Sequence, residues 1–180
     1  MQLILIKHAM PVIDTSVSPG CWPLSDDGRR AARDLGHQLS DRRITAVVSS
    51  EEPKASGTAE AFSTALGLGW STAPGLHEHE RDQMEWRGDE AWHRLLRQFF
   101  EEPDDLVFGQ ETASQALERF LAAVESVVDG LDGSAGALAI VSHGTVISLY
   151  AGRQIDVDPY SIWKDLRLPD YVELEIETSN

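Results

Sequence analysis

The stretch Leu3-Ile4-Leu5-Ile6-Lys7-His8-Ala9-Met10-Pro11 decides the fold. Four apolar residues without a polar break read as a strand buried on both faces, as in a parallel sheet covered by helices. The strand then runs straight into a lysine and a histidine. Residues 137–145, Ala-Leu-Ala-Ile-Val-Ser-His-Gly-Thr, repeat the plan: an apolar run, then a histidine, then a helix start.

Working outward, the spacing predicts helix over residues 26–41, capped by Ser25, with Ala31, Ala32, Leu35 and Leu39 on one face. Strand follows over 44–49 and helix over 52–66, with Pro53 tolerated in its first turn. Residues 70–72 read as a short strand, and Gly67 and Gly69 as a helix-ending turn. Region 74–110 is less regular, with one helix at 89–101 whose Trp92, Phe99 and Phe100, together with Trp86, should pack it against the sheet. Thr112 and Gln115 form a capping box for a helix reaching 129. A short helix over 145–151 and another opened by Asp158-Pro159 precede residues 171–178. There Val172, Leu174 and Ile176 alternate with glutamates, the pattern of an edge strand. Strands alternating with helices predict a three-layer α/β/α sandwich with a mainly parallel sheet. We expect one domain over 1–180, with a small insertion or cap at about 74–110.

The chain has 180 residues, enough to bury a core without disulfide or metal. Its net charge of −15 argues against nucleic acid as a partner, since that binding needs a basic footprint. No apolar run is long enough to span a bilayer, and the N-terminal run is too short for a signal peptide. The single cysteine, Cys21, fits a reducing compartment. The expectation is therefore a cytoplasmic protein, monomer or homodimer, with no membrane partner.

In open α/β sheets ligands sit beyond the carboxyl ends of the strands. Three strands here end in polar residues: Lys7-His8; Ser49-Ser50 with Lys54 one turn on; and Ser142-His143-Gly144. If these strands are neighbours, two histidines and two lysines meet at one rim, beside helix N-termini whose amides favour anions. Such a cationic pocket in an acidic protein suits a compact anion such as phosphate. One imidazole can attack phosphorus, and an acid must protonate the leaving alkoxide. Glu78, in Gly-Leu-His-Glu-His-Glu-Arg-Asp (75–82), is placed to do so, with Glu80 and Asp82 as competitors. His77 and His79 flank Glu78, but the spacing is weak for a metal site and no third ligand stands nearby. Neither metal nor cofactor is expected.

The ordered motifs resemble the histidine phosphatase superfamily, the phosphoglycerate-mutase-like group. Its strand followed by Arg-His-Gly or Arg-His-Ala is matched by residues 3–9, apart from Lys7. Its Leu-Ser/Thr-x-x-Gly is Leu24-Ser25-Asp26-Asp27-Gly28, and its serine pair, arginine and Thr-Ala are Ser49-Ser50, Lys54 and Thr58-Ala59. Leu-x-Glu falls on Leu76-His77-Glu78, Gly-Glu-Ser/Thr is approximated by Gly109-Gln110-Glu111-Thr112, and Ser/Thr-His-Gly is Ser142-His143-Gly144. The resemblance implies a metal-independent phosphatase acting on a small phosphorylated substrate through a phosphohistidine. His8 would be the nucleophile, His143 a phosphate contact that stabilises the transferring group, and Glu78 the acid, then the base. Lys7, Lys54 and Gly144 would hold phosphate. Lysine keeps the charge of the family's arginines but not their bidentate fork. The family's frequent asparagine six residues after the first histidine is Asp14, which should pair with a lysine or point away. Two alternatives stand beside this reading: a phosphoglycerate-type mutase, and a weakened member that binds a phosphorylated ligand or protein partner without turnover.

Overall fold

A computed structural model describes residues 1–81, 88–131 and 136–177. The chain order is β1 (Gln2–Lys7), α1 (Asp26–Gln38), β2 (Ile44–Ser49), α2 (Pro53–Leu66), β3 (Ser71–Thr72), α3 (Asp89–Glu101), α4 (Ala113–Asp129), β4 (Ala137–Ser142), α5 (Gly144–Ile155), α6 (Pro159–Asp165) and β5 (Asp170–Glu175). A single 3-10 turn at Pro19–Cys21 lies in the β1–α1 loop.

The five strands form one sheet in the order β3-β2-β4-β1-β5. Only β5 runs antiparallel, on the edge beside β1. The alternation within β1 explains the three layers. Leu3 and Leu5 join an apolar cluster with Leu96, Phe99, Phe120, Val146 and Tyr150, from α3, α4 and α5. Ile4 and Ile6 face the other way, onto Leu35, Ala55, Ala59 and Phe62 of α1 and α2. Side chains two apart share a face, so an unbroken apolar strand has a helical layer on each side. The expected α/β/α sandwich is the observed fold.

Local signals also hold. Ser25 accepts from the Gly28 amide, and the Thr112–Gln115 capping box is formed in both directions. Gly67 ends α2 in the left-handed conformation. Leu174 is buried while Glu173 and Glu175 are exposed, as an edge strand requires. Three boundaries differ by more than one residue. Helix α1 stops at Gln38, with Leu39 as its C-cap, and residues up to Arg42 continue in turns. Strand β5 spans Asp170–Glu175 rather than 171–178, and residue 178 lies outside the described residues. Helix α5 runs four residues past its expected end at 151. Gly152 hides that extension: a Cβ there would lie 2.7 Å from the Val157 carbonyl oxygen and 2.8 Å from Pro159, so close packing excludes larger residues. Among the expected aromatic packers, Phe99 and Phe100 are buried and Trp92 packs on the same cluster, whereas Trp86 lies outside the described residues. No helix among the described residues is long and apolar enough to cross a membrane.

Candidate active site

The β-ladder brings the two strand-end histidines together. Strands β1 and β4 pair in parallel with Lys7 opposite Ser142, so His8 and His143 leave the sheet side by side. The His8 amide donates to the Ser142 carbonyl at 2.9 Å, and the two imidazole centroids lie 5.2 Å apart. Strand β2 flanks β4 on its other side, and the Ser50 amide donates to the Val141 carbonyl at 2.9 Å. The carboxyl ends of three strands thus meet as expected.

His8 is held in one tautomer. Its Nδ1 lies 2.8 Å from the Ala9 carbonyl oxygen, which can only accept, so Nδ1 carries the proton and Nε2 keeps its lone pair. Burial, then the neighbouring His143, push the His8 imidazole down to about 3, so it is neutral near pH 7. Thr58 anchors this corner by donating to the Lys54 carbonyl and accepting from the Ala9 amide. His143 is wholly buried as the N-cap residue of α5, with Nε2 2.9 Å from Ser50 Oγ and 3.4 Å from Glu52 Oε1. Burial holds it, too, well below the ordinary histidine range. Its Nδ1 has no hydrogen-bond partner among the described residues.

The two lysines are placed differently. Lys54, in the first turn of α2, lines the cleft, donates to the Pro19 carbonyl and forms an ion pair with Glu52. Lys7 donates to the Leu166 carbonyl at 2.9 Å. Its stem passes Gly144, where a Cβ would lie 3.1 Å from Lys7 Cε. Burial lowers the Lys7 ammonium, partly offset by Glu78 and Asp170. Asp14 points away: it is exposed and accepts from the Ser16 amide and hydroxyl.

Glu78 lies in the β3–α3 loop, where Oε1 accepts from the His79 amide. Oε2 lies 3.1 Å from Arg81 and 3.3 Å from the Thr145 amide in the first turn of α5. Burial would raise its pKa, but Arg81, His143 and the His79 amide win, holding the carboxyl far below the usual range. Glu78 is therefore ionised in the free site. The competitor Glu80 is exposed on the cleft, 3.4 Å from His77 Nε2; Asp82 lies outside the described residues. His79 turns inward, its ring against Phe99 and Phe108 and its Nε2 2.9 Å from the Glu111 carbonyl oxygen. His77 and His79 therefore do not converge.

Several residues escaped the sequence reading. Arg81 lines the cleft, bonds Thr145 Oγ1 at 3.2 Å and lies 5.1 Å from the Trp92 ring centroid. Arg119 on α4 donates to the carbonyls of Gly75, His77 and Glu78 and pairs with Glu111, which accepts from the Glu80 amide. Together they fix the loop that presents Glu78. Gly109 completes that seam at φ +78°, where a Cβ would lie 2.3 Å from the Glu80 carbonyl oxygen. Glu52 also enters the cleft. The Leu-x-Glu and Gly-Gln-Glu-Thr motifs pointed to these segments but not to their mutual contacts.

The cleft between rim and loop has a volume of about 670 Å³ and is lined also by Met10, Ile13, Trp22 and Leu168. It is not the simple cationic pocket expected from the sequence. Lys54 is paired with Glu52 and Arg81 with Glu78, because charges withdrawn from water need partners.

Comparison with known proteins settles the family. The sequence profile described as histidine phosphatase superfamily (branch 1) matches residues 5–178. The chain belongs to the histidine phosphatase superfamily. Among solved structures, YhfR of Bacillus stearothermophilus is similar at a TM-score of 0.70 and 23% identity, covering 90% of this chain and 83% of that one. A mycobacterial glucosyl-3-phosphoglycerate phosphatase gives 0.68 and 19%, covering 91% and 83%. The alpha-ribazole phosphatase of Shigella flexneri gives 0.61 and 22%, covering 91% and 84%. These likenesses show the shared phosphoglycerate-mutase-like fold. No functionally curated protein matches the sequence.

Proposed function

We propose that this protein hydrolyses phosphate monoesters through a phosphohistidine on His8, without a metal ion. The observation that carries the reading is His8 itself: a neutral imidazole, its proton fixed on Nδ1 by the Ala9 carbonyl, lining a cleft beside His143 and Lys54. Membership of the superfamily and the phosphatase names of two structural relatives support it.

In the first step His8 Nε2 forms a bond to phosphorus as the ester P–O bond breaks, and the leaving oxygen takes a proton. Glu78 supplies it. In the free site its carboxylate is ionised, so it must gain that proton as the substrate arrives. A phosphate placed in the cleft repels the carboxylate charge and competes for Arg81, and both effects favour the protonated form. In the second step Glu78, again a carboxylate, takes a proton from water as the water oxygen bonds to phosphorus and the P–N bond breaks. Inorganic phosphate leaves and His8 is restored. His143 and Lys54 stabilise the equatorial oxygens; Lys7, its stem against Gly144, adds its charge to the same rim. Residues 77–81 and Gln110 supply the opposite wall and set which leaving group fits.

The test combines p-nitrophenyl phosphate and a panel of phosphorylated metabolites, with chelator present, for wild type and His8→Ala. Turnover with chelator, lost in His8→Ala, and an acid-labile, alkali-stable phosphoryl adduct on residue 8 are expected. Loss of activity on chelation sinks the metal-free route, and an adduct elsewhere overturns the nucleophile. Phosphate transfer back to the retained product in place of release favours the mutase alternative. Phosphate binding without turnover of any ester favours the non-catalytic one.

A further inference from the structure

Glu52 has no part in the steps above, yet its carboxylate sits among the groups they require. Glu52 and Lys54 side chains are 15% and 7% exposed, so their ion pair is largely withdrawn from water. Glu52 Oε1 accepts from the Glu78 amide at 2.9 Å and lies 3.4 Å from His143 Nε2. One carboxylate therefore engages an ammonium and a backbone N–H and abuts an imidazole, which is how a protein holds a bound anion. Lys54 and His143 are also the two groups assigned to the substrate's phosphate.

We infer that Glu52 is a built-in competitor for the phosphate position, which entering phosphate must displace from Lys54. The inference rests on reading this cleft as the phosphate site. The physical reason is charge. While Glu52 holds Lys54, the ammonium is neutralised and a dianion meets a carboxylate at close range. Binding requires Glu52 to release Lys54 and turn toward solvent, at the cost of a sheltered ion pair. Phosphate affinity is lowered by that cost, and phosphate left after hydrolysis is expelled as the carboxylate returns. Position 52 thus sets how tightly the site retains substrate phosphate and product.

The probe is inorganic phosphate, titrated calorimetrically at fixed pH and ionic strength into wild type, Glu52→Gln and Glu52→Ala. Both variants should bind phosphate at least fivefold more tightly, and p-nitrophenyl phosphate turnover, where present, should show a lower KM with stronger product inhibition. The alanine variant guards against a glutamine that keeps the same contacts. In a Lys54→Met background the gain should vanish, since the competition is for Lys54. Unchanged or weaker phosphate binding in both variants overturns the inference, as does a full gain without Lys54. If neither wild type nor variant binds phosphate, this inference and the phosphate-site reading fall together. If the variants bind phosphate more tightly while no protein turns over any ester, the inference stands and the phosphatase reading fails.

Discussion

The cleft has two walls built by different physics. The rim carrying His8 and His143 is set by backbone pairing: once β1 and β4 are parallel neighbours with Lys7 opposite Ser142, both histidines must emerge together. The facing wall, Gly75 to Arg81, belongs to no regular element and is held largely by side chains. Arg119 reaches three of its carbonyls from α4, and Glu111 receives the Glu80 amide. A ladder is cooperative and survives the loss of any one side chain, whereas a loop tied mostly through a few side chains depends on each of them, Arg119 above all. The rim should therefore fail chemically when mutated, and the wall structurally.

The largest expected effect is on the rim. His8→Ala should abolish adduct formation and lower kcat/KM by at least about 1,000-fold, as removal of a covalent nucleophile does. Its melting temperature should stay within a few degrees of wild type, because β1 and its neighbours do not depend on the imidazole. A variant that unfolds instead would show that the rim needs its side chains as the wall does.

Arg119→Ala comes next and tests the wall. It strands the Glu111 carboxylate, whose side chain is 10% exposed, and frees the Gly75, His77 and Glu78 carbonyls. Losing one partner of such a pair costs about 3 kcal/mol. Urea denaturation should show that loss, and kcat should fall on the order of tenfold as Glu78 loses its place, while the His8 adduct still forms. Full stability together with full activity would mean that the loop is held by something other than Arg119.

The contrast also explains what the sequence disclosed. Uninterrupted apolar runs located β1 and β4, polar strand ends located His8, Lys54 and His143, and Ser25 and Thr112 announced their helices, because each signal is local. Arg81 and Arg119 were not legible. A guanidinium's partners depend on which loop packs over which helix, and Arg119 meets its carbonyls 41 to 44 residues away. Glu52 was passed over because an acid beside a proline at a helix start normally faces solvent. Its place in the cleft came into view only with the Lys54 ion pair and the Glu78 amide. The length of α5 was hidden by Gly152, whose presence reflects contact with Val157 and Pro159 rather than helix propensity.

A smaller effect separates the buried histidines from Glu78 by pH. His8 is buried and neutral, with its folded pKa near 3 against about 6.5 when unfolded. Between those values the unfolded chain binds the extra proton, so stability is complete above pH 6.5 and falls as pH drops. At pH 4.5 His8 alone should cost roughly 3 kcal/mol, and buried His143 and His79 act in the same direction. Glu78, whose folded pKa is depressed, loses its contribution only below its unfolded value near 4.5. Guanidinium denaturation should therefore show a histidine-driven decline between pH 6.5 and 4.5, shallower in His8→Ala, and a further carboxylate-driven decline below. A flat profile across the upper window would mean that the rim histidines titrate normally.

The smallest effect concerns Lys7, and it asks whether the rim itself is uniform. Lys54 faces the cleft, but Lys7 spends its ammonium on the Leu166 carbonyl, with its stem against Gly144. On the phosphatase reading proposed above, a charge in that place would act on phosphate through the field it adds rather than by direct grip, so the geometry of its head group should matter little. Lys7→Arg should leave kcat/KM within about threefold of wild type, because the charge is retained and only its fork is new. Lys54→Arg should move it further, since a guanidinium must rearrange against Glu52 and the Pro19 carbonyl. If Lys7→Arg changed turnover tenfold in either direction with stability unchanged, Lys7 would have to touch the substrate directly, and the distinction between the two lysines would fail.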